Sequence, residues 1–77
     1  MSDETFYQQL ARFILNHRKI SGLSQLQLAE LAGVGKTVIY DLEHAKPSVQ
    51  LDTVVKVLHA LNIKIQLHSP IEGFDDV

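Results

Sequence analysis

Residues 24–43 read SQLQLAELAGVGKTVIYDLE, and this stretch decides the fold. Ser24 is a typical helix N-cap, and apolar residues follow it at helical spacing. Gly33 ends that helix in the left-handed conformation that glycine favours there. Residues 36–43, KTVIYDLE, form a second short helix. The inward-facing residues are Leu28, Ala29 and Ala32 in the first helix and Val38, Ile39 and Leu42 in the second. The stretch therefore predicts two packed helices joined by a tight turn.

Two further helices flank this pair. Residues 6–19, FYQQLARFILNHRK, place apolar side chains three and four residues apart before ISG stops the run. Residues 51–61 repeat apolar residues at Leu51, Val54, Val55, Leu58 and Leu61, with Ser48 and Gln50 competing as the N-cap. We expect an all-α domain of four to five short helices.

The periodicity changes after Asn62. In IKIQLH, residues 63–68, Ile63, Ile65 and Leu67 alternate with polar side chains, which predicts a β-strand. A single strand has no partner within a helical domain, and its unpaired backbone groups favour pairing with another chain. We therefore expect a homodimer in which two copies of this strand pair antiparallel about a two-fold axis.

Length and composition limit the classes of function. The chain has 77 residues, which is one domain, and no cysteine, which excludes disulfides. No apolar run reaches the roughly 18 residues of a membrane helix, and MSDETF is acidic, so we expect a soluble, cytoplasmic protein without a membrane partner. The net charge is −2, but five of the nine acids lie near the termini. Residues 5–71 hold seven bases and four acids and so carry +3.

The sequence contains no recognisable catalytic or metal-binding pattern. GVGK is too short for a phosphate-binding loop and follows a helix where that loop follows a strand. The four histidines include no pair at the spacing that would place two on one helix face as metal ligands. We expect no enzyme, no metal and no cofactor.

The stretch LSQLQLAELAGVGKTVIYDLE resembles the helix-turn-helix segment of phage repressors and Cro proteins, which implies the lambda-repressor-like DNA-binding fold. The continuation HAKPSVQLDTVVKVLHALNIKIQL is similar to the HipB-like antitoxin branch of that family. The resemblance implies a sequence-specific repressor of a pseudo-palindromic operator in double-stranded DNA. It further implies the antitoxin of a type II toxin-antitoxin pair, which represses its own operon and neutralises a HipA-like kinase toxin.

The same resemblance assigns roles to individual residues. Gln25 would contact a phosphate and brace the second helix, Lys46 would clamp a phosphate, and Arg18 and Glu43 would form a structural ion pair. The positions that would read DNA are Gly35, Lys36, Thr37, Tyr40 and Asp41. Lysine can donate to guanine, threonine can contact thymine, and aspartate can accept from cytosine. Gly35 departs from the family, which often has serine or threonine there.

The implied organisation has four parts. These are an N-terminal tail at 1–5, a helix-turn-helix DNA-binding domain at 6–62, a dimerisation strand at 63–68 and a flexible acidic tail at 69–77. Two other functions stay open at this point. One is a solitary or phage-type repressor without a toxin, and the other is a protein-interaction module that has lost DNA binding.

Overall fold

The computed structural model describes residues 4–73, which form four α-helices. They are α1 (Phe6–Ile20), α2 (Gln25–Ala32), α3 (Lys36–Glu43) and α4 (Leu51–Ala60). The predicted all-α fold is confirmed, with four helices in the described part of the chain. The part of the predicted tail that lies at 74–77 falls outside the described residues.

The first two helices begin with the same capping arrangement. The Thr5 hydroxyl accepts the backbone N–H of Gln8, whose side chain in turn accepts the Thr5 N–H at 2.8 Å. Ser24 and Gln27 repeat this capping box at the start of α2. The N-cap residues of α3 and α4 are Gly35 and Gln50, and neither helix has a side-chain cap. The two helices joined by the turn at Gly33 therefore start differently, because α2 has a side-chain cap and α3 has none.

Each of the four helices is followed within two residues by a residue with positive φ. These residues are Gly22, Gly33, Ala45 and Asn62, with φ of 73°, 73°, 59° and 59°. In each case the next N–H reaches back to a carbonyl near the helix end, as Val34 does to Ala29 at 2.9 Å and Lys46 does to Asp41 at 3.0 Å. This closure satisfies the last carbonyls and turns the chain sharply. The sharp turns keep the connections between helices short, so that α2 and α3 can pack closely.

Every helix contributes one large side chain to the centre of the core. Ile14, Leu28, Ile39 and Val57 are fully buried, and Ala29 packs beside them. The small side chain of Ala29 suits the close approach of α2 to α3. Val57 was not part of the predicted apolar repeat of α4, whereas Leu51 and Val55, which were, are exposed. The buried face of α4 is therefore rotated from the predicted one.

Residues 63–69 have no regular secondary structure in the single chain. Ile63 packs against the core and its N–H bonds to the carbonyl of Leu58 at 2.9 Å, whereas Ile65 and Leu67 are exposed. A β-ladder needs a second strand, so the strand at 63–68 stays a prediction about the assembly. Among the described residues, no helix is long and apolar enough to cross a membrane.

Candidate nucleic-acid interface

Helix α3 buries one side and presents the other to solvent. Ile39 and Leu42 lie in the core, while Lys36, Thr37 and Tyr40 are exposed. Lys36 and Tyr40 are four residues apart and so lie on one ridge of the helix. An ammonium, a hydroxyl and a phenol are thus displayed together on a short helix whose opposite side is fixed by packing.

The start of α3 offers backbone donors without a side-chain competitor. Gly35 is the N-cap, in an extended conformation with φ −76° and ψ 151°, and no side chain caps the helix. A Cβ added at Gly35 would meet nothing within 4 Å. The N–H groups at a helix N-terminus are unsatisfied and carry partial positive charge, which suits an anion or a base-edge acceptor.

The end of α3 is tied to α1 and α2 through Glu43. Arg18 donates to both carboxylate oxygens of Glu43, from Nε at 2.5 Å and from a terminal nitrogen at 2.9 Å. Gln25 donates its side-chain amide to the same carboxylate at 3.1 Å. The Arg18 and Glu43 side chains are only 11% and 3% exposed. The structure therefore brings Arg18 and Gln25 to Glu43, from which they are 25 and 18 positions away in the sequence.

The ion pair shifts the pKa of both partners. Burial acts to raise the pKa of Glu43, but hydrogen bonds from Arg18 and Gln25 and the charge of Arg18 outweigh it, so the pKa lies below its ordinary value. The hydrogen bond to Glu43 raises the pKa of Arg18. Arg18 also donates to the carbonyl of Leu23 at 2.9 Å. Both groups are charged at neutral pH, and each takes part in three hydrogen bonds.

Asp41 and Lys46 form an ion pair with each other. The Lys46 Nζ lies 3.5 Å from Asp41 Oδ2, and the side chains are 54% and 24% exposed. The left-handed turn at Ala45 places Lys46 beside the last turn of α3. Sequence reasoning gave these residues separate roles, on a base and on a phosphate. The structure shows that each is the ion-pair partner of the other.

His44 is a residue of this surface that sequence reasoning missed. Its ring stacks on Tyr40 with centroids 3.9 Å apart and planes inclined by 23°, and its Nδ1 lies 2.7 Å from the Tyr40 carbonyl. Both rings therefore have restricted orientations. The signal was the four-residue spacing of Tyr40 and His44, which places them one above the other on a helix.

No group of three metal-ligating side chains occurs among residues 4–73. Within that range the surface of α3 offers hydrogen-bond donors, an aromatic stack and one ion pair. These groups can contact base edges and phosphates.

Comparison with known proteins then places the chain. A family model described as helix-turn-helix matches residues 14–67. The chain belongs to the helix-turn-helix family. The match includes all of α2, α3 and α4 and the C-terminal part of α1, together with the segment up to Leu67.

Two curated relatives match more than two thirds of the chain. The chain is 44% identical over 53 residues to the uncharacterized HTH-type transcriptional regulator y4mF of Sinorhizobium fredii, covering 69% of this chain and 70% of that protein. It is 38% identical over 56 residues to the control protein C.SmaI of Serratia marcescens, covering 73% and 67%. This helix-turn-helix chain is therefore a DNA-binding regulator of transcription.

A solved structure shares its fold over nearly its whole length. The structure of the HipA-HipB-O2-O3 complex contains a chain that matches with a TM-score of 0.77 and 24% identity, covering 92% of this chain and 100% of that one. The resemblance to HipB-like proteins inferred from residues 44–67 is therefore matched by the fold.

Proposed function

We propose that this protein is a sequence-specific repressor that binds a pseudo-palindromic operator as a homodimer. Residues 6–62 form the DNA-binding domain and residues 63–68 join two copies. Each copy inserts α3 into the major groove, with the two helices about 34 Å apart. The observation that carries the proposal is the exposed donor face of Lys36, Thr37 and Tyr40 on a helix whose end is fixed by the Arg18–Glu43 pair.

The exposed residues divide into base-reading and phosphate-binding groups. Lys36 donates to guanine, Thr37 bonds to a base or touches a thymine methyl, and Tyr40 lies beside them on the ridge. The Val38 N–H bonds to the Gly35 carbonyl at 3.1 Å, so the N–H groups that face the same groove are those of Lys36 and Thr37. Gln25 keeps a second amide N–H for a phosphate while its first bonds to Glu43. Phosphate contacts fix the register in which the base contacts read sequence.

The dimer is supported by apolar surface that the single chain leaves uncovered. Ile65 and Leu67 are 54% and 87% exposed. They line one side of a groove of 540 Å³, and Phe6 and Leu51, which are also exposed, line it too. A monomer rarely leaves so many large apolar side chains in one place. Pairing of two 63–68 segments would cover this groove and satisfy the backbone of both strands.

Selection from a pool of random-sequence duplexes tests DNA reading. We expect the wild-type chain to enrich a sequence with two related half-sites, and the enriched duplex then serves as the operator probe. The Lys36→Ala, Thr37→Ala double variant should bind it at least tenfold more weakly. Lys56→Ala is the matched control, because Lys56 is an exposed lysine of α4. Unchanged operator affinity in the double variant would refute the assignment of α3.

Sedimentation of a second pair of variants tests the dimer. Leu67→Asp should shift the chain to the monomer, because it places a charge on the strand that joins the copies. Ile20→Asp makes the same chemical change at a similarly exposed position at the end of α1 and should leave the dimer intact. If both variants or neither dissociates, the 63–68 segment is not the specific interface.

We propose in addition that the repressor is an antitoxin. The supporting observation is that its fold covers the whole of the matched chain in the HipA-HipB-O2-O3 complex. The partner would be a HipA-like kinase encoded by an adjoining reading frame. Co-expression tests this. The protein encoded by the adjoining reading frame should arrest growth when it is expressed alone. When it is expressed with this chain, growth should be restored and the two proteins should co-purify. A harmless or absent neighbour would leave a solitary repressor.

A further inference from the structure

Asp41 is the one acid among the exposed or half-exposed side chains of α3, and it lies on a helix that the proposed function puts against DNA phosphates. Its carboxylate is 3.5 Å from the Lys46 ammonium. The backbone keeps the two together, because the Lys46 N–H bonds to the Asp41 carbonyl at 3.0 Å across the left-handed Ala45. The contact is open to solvent, so either partner can be exchanged without unfolding the turn.

We infer that the Asp41–Lys46 pair increases the specificity of DNA binding. The pair weakens binding to non-specific DNA, and at the operator both residues exchange it for contacts with DNA. On arbitrary DNA, Lys46 can reach a phosphate only by leaving Asp41, whose freed carboxylate is repelled by the same backbone. At an operator with cytosine in the facing position, the freed carboxylate accepts the cytosine N4–H. Asp41 then determines specificity by penalising the wrong DNA more than the right one. This inference rests on the proposed repressor function.

The exchange has a signature in salt dependence. A lysine that neutralises a phosphate releases a cation from DNA, and each such contact makes the slope of log affinity against log salt steeper by about 0.9. Lys46 contributes little to that slope on arbitrary DNA, because it stays paired with Asp41 there and neutralises no phosphate. Removing the carboxylate charge restores the full contribution of Lys46.

The test measures binding of five chains to a random-sequence duplex and to the selected operator over a range of salt. They are the wild type, Asp41→Asn, Lys46→Gln, the double variant and a control. Asp41→Asn should steepen the slope on the random duplex by about 0.9 and raise affinity there roughly three- to tenfold at 0.1 M salt. Its operator affinity should rise less, because the charge-assisted bond to cytosine is lost, so the ratio of specific to non-specific affinity falls. In a Lys46→Gln background, Asp41→Asn should leave the slope on the random duplex unchanged.

Glu30→Gln is the matched control, because Glu30 is an exposed acid on α2 and the change in net charge is the same. An equal steepening by Glu30→Gln would reduce the effect to net charge and overturn the inference. So would an unchanged slope in Asp41→Asn, or an Asp41→Asn effect that persists without Lys46. If the wild-type chain prefers no sequence, the repressor proposal fails instead, and the random-duplex measurements still decide whether the pair restrains Lys46.

Discussion

Arg18 donates a hydrogen bond to each oxygen of the Glu43 carboxylate and thereby joins the last turn of α1 to the last residue of α3. The pair is almost wholly removed from solvent, yet each charge is met by an opposite charge and by further hydrogen bonds. A buried pair of this kind often contributes little net stability, and we expect its role here to be fixing the orientation of the proposed reading helix.

Breaking the pair should destabilise the fold strongly. Arg18→Met leaves the Glu43 carboxylate buried without its cation, and we expect the free energy of unfolding to fall by about 3 kcal/mol. Urea denaturation measures this loss. Adding Glu43→Leu should restore much of it, because no unpaired charge is left. Arg12→Met is the control, since Arg12 pairs with Glu4 at the surface and exposed pairs contribute little. Equal losses for Arg18 and Arg12 would contradict the proposed role of the buried pair.

The lowered pKa of Glu43 predicts a specific loss of stability in acid. Because its pKa is lower in the folded than in the unfolded chain, the carboxylate stabilises the fold fully above the unfolded value of about 4.3. That contribution is lost as the pH falls through the folded pKa. The difference in unfolding free energy between wild type and Glu43→Gln should therefore be largest near neutral pH and shrink below about pH 4. A difference that stays constant from pH 7 to pH 3 would contradict this linkage.

Local signals in the sequence predicted some elements to the residue. Helix α3 was predicted at 36–43 and lies at Lys36–Glu43, because a glycine turn precedes it and a chain reversal follows. The prediction of α4 named the core residues Val54 and Leu58 correctly, but it missed Val57 and included Leu51 and Val55, which are exposed. The apolar face of that helix is broad enough to include Leu51 as well as Val57, so periodicity alone cannot show that Val57 faces the core and Leu51 faces solvent. Only contact with the other helices decides it.

The Asp41–Lys46 pair was beyond prediction for a related reason. It depends on a left-handed residue at Ala45, and alanine gives no sign of that conformation, whereas Gly33 signalled its own turn. The stacking of His44 on Tyr40 follows from helical spacing and could have been predicted once α3 was placed. The strand at 63–68 stays a prediction because its partner lies outside the single chain.

The backbone of Ala45 is strained in the folded chain. Its φ of 59° lies in the left-handed region, which costs an L-residue about 1 kcal/mol or more. Ala45→Gly removes this strain but gives the unfolded chain more freedom, so we expect a net gain of about 0.5 kcal/mol in urea denaturation. Ala60→Gly is the control, because Ala60 is helical and its replacement should lose roughly 0.5 to 1 kcal/mol. A loss at both positions would show that the left-handed turn is not strained.

Substitutions at Gly35 test whether the start of α3 serves stability or DNA binding. It caps the helix without a side-chain bond and has space for a Cβ, so Gly35→Ser should change the unfolding free energy by only a few tenths of a kcal/mol. Gly35→Ala also fits but cannot accept an N–H, and it should lose about 0.5 to 1 kcal/mol. If the bare N–H groups contact DNA, the serine hydroxyl will occupy one of them and weaken operator binding in a chain that folds normally. Operator affinity in Gly35→Ser that equals or exceeds the wild-type value would show that these donors do not contact DNA.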